Sequence, residues 1–568
     1  MKKILFTIGL IILFLPFFVQ AEDVLGGELD FNVESVYDLS QRTELVATLI
    51  KLSPTAYWYV DQIWWEGLSA QEQPEINQSL SSLAEEFEFE IYPTLTRTFG
   101  SEWTPGIDKD TRVTILIHPM KKESGGYNDT ADEYPKTQIP ESNEREMVYL
   151  NAQYINDVAN AKVFLAHELT HLITFNQKNK SYNLSEDTWL NEARAEYSAT
   201  LLGYDAAYQG SNLQRRVRDF LDKPSDSLTE WREAAADYGV VNLFIQYLVD
   251  HYGVSILADS LKLRQTGVQS LNTVLAQSGF KEDFSQIFTN WTLAVLINDC
   301  QVSEKYCYFS QNLKNLRIAP LLNYLPFVGK STLSVVNTTK DWTGNWHKFI
   351  GGEGRLTLQF QGNEQANFRL PYMIQDARGS LTINFLALDA QGKGGILVES
   401  FGKENITLII LPIAQSKTAN FSGIEPARTF SWSVSTEEKE EVVVPSLTPL
   451  SKPISQMNRA ELLARIAEIR DLIVKLQEII SKISGASVSC QAINQDLFLG
   501  IKDNAQVSCL QEFLKSQGSE IYPEGLVTGN FGTLTQTAVI RFQKKHGIQD
   551  TGFVGPITRA KINELLTK

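Results

Sequence analysis

Hydrophobic and polar positions change their period several times along this chain, and the changes divide it into segments. After a nearly unbroken apolar run from Ile4 to Val19, residues 22–100 are polar and aromatic, with Leu80, Leu83, Ala84 and Phe87 at helical spacing. That spacing predicts a helical lead-in. At Val113-Thr114-Ile115-Leu116-Ile117 the pattern turns to that of a buried strand, a loop rich in Gly, Asp and Pro follows over 125–140, and Met147 to Leu150 predicts a second short strand. Helical periods then dominate from Val158 to about Leu313, notably Ala161 to Phe175, Thr188 to Leu202 and Tyr238 to His251. The expectation for 101–325 is therefore an α+β unit, a mixed sheet followed by helices.

Over 330–436 the pattern alternates, as in Leu356-Thr357-Leu358-Gln359-Phe360, with turn residues between the runs, and predicts a β-sandwich. Residues 437–456 are acidic and then rich in Val, Ser, Thr and Pro, the composition of a linker. Within 457–485, Leu462, Ile466, Ile469, Ile473, Leu476, Ile480 and Ile483 recur at alternating steps of four and three, a heptad seam. Such a seam either joins two copies as a short coiled-coil dimer or packs on a neighbouring domain. A compact module fills 487–568. With 568 residues the chain exceeds one ordinary core, so a multidomain architecture is expected.

Composition narrows the setting. A net charge of −16 lacks the basic footprint that nucleic-acid phosphates require. Lys2 and Lys3, the apolar run and Val19-Gln20-Ala21 read as an export signal over 1–21, so the expected location is secreted or at the cell surface. The four cysteines fall into two local pairs, Cys300 with Cys307 and Cys490 with Cys509, which in an exported chain read as two short disulfide loops. Free buried thiols are the alternative.

The chemistry concentrates at His167-Glu168-Leu169-Thr170-His171. Two imidazoles four residues apart share one helical face and reach one zinc ion, while the adjacent carboxylate addresses a water at the open coordination position. Downstream, Trp189-Leu190-Asn191-Glu192-Ala193-Arg194-Ala195-Glu196-Tyr197 again puts two carboxylates, Glu192 and Glu196, on one helical face. The alternative for the first motif is a pair of unrelated core histidines, and for the second a solvated face. His118, His251, His347 and His546 lack metal-ligand spacing and read as structural or surface residues.

Taken together, the two segments resemble the gluzincin metallopeptidases, the thermolysin-like and aminopeptidase-N-like clan. The resemblance covers roughly Val113 to Tyr252 and implies a zincin fold, with zinc held by His167, His171 and Glu192. It further implies Glu168 as general base, Glu196 as the carboxylate that orients a histidine ligand, and Tyr238 as donor to the developing oxyanion, with Tyr247 and Tyr252 as rivals. By the same resemblance Tyr149, Asn151 and Ala152 belong to an edge strand that pairs with an extended peptide substrate. Metzincins are excluded, because their third ligand needs Gly at position 174 and His at 177, where this chain has Thr174 and Gln177. The separation of His171 from Glu192 is slightly longer than in the best-known branches, and the amine-binding Gly-Ala-Met-Glu-Asn segment of aminopeptidases is absent. Both point to an endopeptidase of a less familiar, hyicolysin-like branch.

Four motifs near the C-terminus, Val507-Ser508-Cys509-Leu510-Gln511, Val527-Thr528-Gly529-Asn530-Phe531-Gly532, Ala538-Val539-Ile540-Arg541-Phe542-Gln543 and Thr551-Gly552-Phe553-Val554-Gly555-Pro556, resemble the peptidoglycan-binding-domain-like family. That resemblance implies a small three-helix bundle anchoring an exported bacterial enzyme to the cell wall. The expected function is a secreted zinc endopeptidase acting on proteins or peptides. Two alternatives stand beside it: a hydrolase of peptidoglycan cross-bridges, and a non-catalytic surface adhesin with a vestigial zinc site.

Overall fold

In Glu44–Leu52 (β2) the buried residues Leu45, Ala47 and Leu49 alternate with more exposed ones, the two-residue period of a strand with one face in a core. It pairs antiparallel with Glu28–Asn32 (β1) and with Ala56–Asp61 (β3), whose six residues are all buried. β3 runs parallel to Val113–His118 (β4) and β4 parallel to Met147–Asn151 (β6), while the two-residue Gly126–Tyr127 (β5) pairs antiparallel outside β6. The six-stranded order is β1-β2-β3-β4-β6-β5. This computed structural model describes residues 23–326, 332–421, 423–436, 454–484 and 492–566, so the export-signal expectation over 1–21 and most of the linker at 437–456 lie outside the described residues.

Two expectations are corrected by this sheet. Residues 22–100 are not a helical lead-in: β1 to β3 come first, and only then Gln62–Gly67 (α1), Glu72–Glu86 (α2) and Tyr92–Phe99 (α3). The helical spacing of Leu80 to Phe87 belongs to α2 and its continuation alone, and β3, buried on both faces, shows no alternation to betray it. Nor is β6 the edge of the sheet, because β5 covers it.

The sheet sorts its side chains by face. Trp58, Val60, Ile115, Ile117, Val148 and Leu150 join the main helical core. Tyr57, Tyr59, Leu116, Met147 and Tyr149, one position out of step, join Phe31, Leu45 and Leu49 in a second core on the opposite face. α2 and α3 pack into the main core through Leu80, Leu83, Leu95 and Phe99, beside Val158–Phe175 (α4), Thr188–Leu201 (α5), Asn212–Asp222 (α6), Ala235–Tyr252 (α7), Ser255–Leu261 (α8), Gly267–Gln277 (α9) and Phe284–Ile297 (α10). α4 starts where the Asp157 side chain accepts from the Asn160 amide. Among the described residues no single helix is long and apolar enough to cross a membrane. Cys300 and Cys307 form a disulfide just after α10. The second expected pair involves Cys490, outside the described residues.

The next region departs from two separately paired sheets. Leu321–Leu325 (β7), Thr332–Thr339 (β8), His347–Gly351 (β9), Gly354–Gly362 (β10), Phe368–Asp376 (β11), Leu381–Leu386 (β12), Lys393–Phe401 (β13), Asn405–Ile410 (β14), Ile413–Ala414 (β15) and Arg428–Thr436 (β16) form one ten-stranded sheet. Its halves meet at a single parallel bridge, Phe401 with Asn405, and fold around a shared core of Phe349, Leu358, Phe360, Ile410, Phe430 and Trp432, so the sheet nearly closes on itself. Trp342, Trp346 and Leu411 pack instead into the main helical core, which welds this sheet to the unit before it. Together they form Met1–Glu438, one of two compact units.

In the second unit, Lys439–Lys568, Arg459–Ser484 (α11) carries the heptad, with Ile466 and Ile469 exposed at 48% and 38%. Ala505–Ser516 (α12), Thr533–Lys545 (α13) and Pro556–Leu566 (α14) surround a separate core that includes Leu510, Phe513, Val539 and Phe542. The amide oxygens of Gln511 and Gln543 accept from Gly529 and Gly552, each a Thr-Gly turn with φ near +72°. That conformation suits glycine, so the two motifs are turn clamps.

Candidate metal centre

α4 and α5 bring the two predicted segments together. His167 Nε2 lies 3.4 Å from Glu192 Oε2, and His171 Nε2 lies 3.6 Å from Glu192 Oε1. One ligand atom from each of the three residues falls within 4.8 Å of the others. The rings stand 4.7 Å apart with planes at 81°, so their nitrogens converge from different directions. Glu192 Oε2 is buried and makes no hydrogen bond. A buried carboxylate oxygen without a hydrogen bond, 3.4 Å from one imidazole nitrogen and on a carboxyl group whose other oxygen faces the second imidazole, is costly as it stands, and this donor set fits zinc.

Electrostatics tie the three into one set. Burial alone would push the Glu192 carboxyl up, but the His171 and His167 rings pull it below the usual carboxylate range. Burial alone would lower His171, yet the Glu192 carboxylate, and after it Glu168, raise it to about 9.

Behind the first imidazole stands Glu196, with Oε1 3.6 Å from His167 Nδ1. Arg216 donates to it twice, Nη2 to Oε1 at 2.6 Å and Nε to Oε2 at 2.8 Å. Asn212 and Asn242 donate to Oε2 at 3.1 and 3.2 Å. Burial opposes ionisation of Glu196, and the guanidinium overrides it, holding the carboxyl down at about 2. Elements α6 and α7 thus fix the carboxylate that faces His167, as a group orienting a metal ligand must be fixed.

Glu168 is 7% exposed, and burial pushes its carboxyl up. β5 passes over it: a Cβ on Gly126 would stand 3.1 Å from Glu168 Cγ and 2.6 Å from the Tyr149 oxygen, and one on Gly125 would stand 2.4 Å from the Phe164 ring. Only side-chain-free residues let the strand approach α4 this closely. The edge at the site is therefore β5, in the loop read as Gly-rich, rather than Met147 to Ala152. Tyr149 is 1% exposed, donates to Asp132 Oδ2 at 2.6 Å and stacks on Tyr127 at 4.1 Å. The Asn151 side chain binds the backbone of Met120 and Ser124, and Ala152 is buried. Tyr149 and Asn151 thus support β5 and the turn before it from behind.

Tyr238, in the first turn of α7, is half-buried with Arg216 4.5 Å from its ring centre. Burial and then the Glu192 and Glu196 carboxylates raise its hydroxyl pKa, which places it within their field. Of its rivals, Tyr247 donates to the Lys305 carbonyl and Tyr252 packs on Phe280. A second phenol that sequence gave no sign of is Tyr37, between β1 and β2: it stacks on Tyr127 at 4.7 Å, and burial, Glu233, Glu168 and Glu192 raise it. His118 and His251 hold structural partners, Asp38 and the Cys307 carbonyl. A recess of about 350 Å³ lies beyond His171, and another of about 870 Å³ lies beside α6, bordered by Asn212 and Arg215.

Residues 503–562 match the family described as "Putative peptidoglycan binding domain". No curated protein matches the chain. Among solved structures, a family GH115 4-O-methyl-alpha-glucuronidase with specificity for decorated arabinogalactans is similar at 8% identity and a TM-score of 0.12, over 58% of this chain and 52% of that one. The chain spans about half of that structure, and a likeness of this size carries no argument.

Proposed function

We propose that this chain is a zinc-dependent endopeptidase of the gluzincin type, kept at the bacterial cell wall by residues 503–562. The observation that carries the reading is the convergence of His167, His171 and Glu192 on one point, with Glu168 beside them under a sheet edge. Those three residues would hold the ion. Zinc, when bound, supplies Lewis acidity towards a carbonyl oxygen and acidifies water.

The remaining work falls to the chain. Glu168 takes a proton from the attacking water and returns it to the leaving amine, a task suited to a carboxyl raised by burial. Tyr238 donates to the oxygen on which negative charge develops. β5 pairs by strand addition with an extended peptide and sets its carbonyl in line. Glu196, clamped by Arg216, keeps the His167 ring oriented.

Glu168→Gln tests the assignment: the variant should bind one zinc per chain and lose casein proteolysis by about 10²- to 10⁴-fold, the contribution of the proton path. Proteolysis retained by that variant, or a wild-type chain that binds no zinc, rejects the reading. The match at 503–562 favours a second reading of the same site, cleavage of peptide cross-bridges within the wall. Release of amines from purified sacculi without casein digestion would select it.

A further inference from the structure

Asn160, Phe164, His167 and His171 follow one another on α4 at steps of four, three and four, so they share one face of the helix. At the helical rise, Asn160 stands only about 10 Å along the axis from His167. Asn160 also borders the recess of about 870 Å³ beside α6. Phe164 connects that recess to the sheet edge. A Cβ on Gly125, the residue before β5, would collide with the Phe164 ring, and the Arg215 guanidinium carbon lies 5.9 Å from the centre of the same ring. Arg215 borders the recess, so its cation is one aromatic ring away from the turn that leads into β5.

Arg215 differs from its neighbours in what it pairs with. Arg216 spends its charge on Glu196 and Asp219, and Arg218 approaches Asp219 at 3.7 Å. Among the described residues Arg215 forms no ion pair, although Asp222 borders the same recess. Its one hydrogen bond runs from Nη2 to Asn212 Oδ1 at 2.6 Å. Nε is buried and without an acceptor, whereas Nη1 also lacks one but is not sealed from solvent. Burial, and after it the Arg216 charge, hold the pKa of this half-buried guanidinium below its ordinary value. Asn212 keeps the group in place, because its Nδ2 donates to Glu196, the carboxylate that faces His167. A fixed, largely desolvated cation with no counter-ion is costly, and its open edge calls for an anion.

Resting on the peptidase reading above, we infer that this recess is a specificity subsite in which Arg215 binds a carboxylate of the peptide substrate, either an Asp or Glu side chain or the peptide's own C-terminus. A carboxylate takes a charge-assisted hydrogen bond from Nη1 and supplies the missing counter-charge. A carboxamide accepts the bond without neutralising the cation, and an ammonium meets the like charges of Arg215 and Arg218.

The test uses the full-length, zinc-loaded chain and a peptide library in which each position near the cleaved bond is varied in turn among Glu, Gln, Leu and Lys, every peptide being made with a free and with an amidated C-terminus. If a side chain enters the recess, one position should favour Glu over Gln by about tenfold or more in kcat/KM, the scale of one hydrogen bond to a charged group. If the C-terminus enters, the free acid should be favoured over the amide by the same factor at one distance from the cleaved bond. Arg215→Gln should erase that ratio, measured within the variant itself, and Arg215→Lys, which keeps the charge, should keep its direction. No preference for an acid at any position or terminus, or a ratio that Arg215→Gln leaves unmoved, overturns the subsite and leaves the peptidase standing. A zinc-loaded wild-type chain that cuts no peptide in the library overturns both.

Discussion

Glu196 illustrates how much of the candidate centre rests on single side chains outside the three that converge. Its carboxylate is buried at 2% exposure, and four nitrogen donors from Arg216, Asn212 and Asn242 hold it against the His167 ring. Glu196→Gln should therefore weaken zinc affinity about 10- to 100-fold in chelator competition, and unchanged affinity would mean that His167 is oriented by other means. Elsewhere, burial raises the Glu146 carboxyl to about 7, although its Oε1 accepts from the Ile107 amide. A carboxyl raised on folding binds more protons in the native state, so its contribution to stability is full below about 4.5 and is lost as pH rises through 7. Glu146→Gln should make Tm fall less over that interval than in wild type; identical slopes would show that the group does not titrate there.

At the scale of elements, β5 matters more than its two residues suggest. Gly126→Val would thrust a side chain against the Tyr149 carbonyl and Glu168, so the strand must lift. On the proposed reading, peptidase activity should fall at least about tenfold, as expected of misplacing a substrate by an ångström, while zinc content stays near one per chain. Loss of zinc together with activity would place the damage in α4 instead. The Cys300–Cys307 disulfide closes a loop of sequence separation 7 after α10. Replacing both with Ser should cost about 2 kcal/mol in denaturant unfolding, the scale of a short closed loop.

For the whole molecule, the two units have separate cores, one around Leu510, Phe513 and Phe542 and the others within Met1–Glu438. On the proposed reading, residues 23–438 expressed alone should hydrolyse a soluble peptide in a zinc-dependent way, whereas 439–568 should co-sediment with purified walls. Activity that disappears on separation would show that the units work only together. Removing 23–61 should unfold the first unit, because β1 to β3 form half of its six-stranded sheet and bury Trp58, Tyr59 and Val60.

Much of the centre was legible in the sequence because it is local. Spacing of four along one helix places His167 with His171 and Glu192 with Glu196 before any tertiary contact forms, and two of the motifs within 503–562 are turns whose glycines, Gly529 and Gly552, take positive φ. What joins two helices is not local. The approach of Glu192 to both rings, the clamp of Arg216 on Glu196, the choice of β5 over β6 as the edge and the arrival of Tyr37 from the N-terminal strands all depend on residues far apart in the chain. A strand buried on both faces carries no alternation, and a two-residue strand carries no period at all, so β3 and β5 became visible only when the packed sheet supplied their partners.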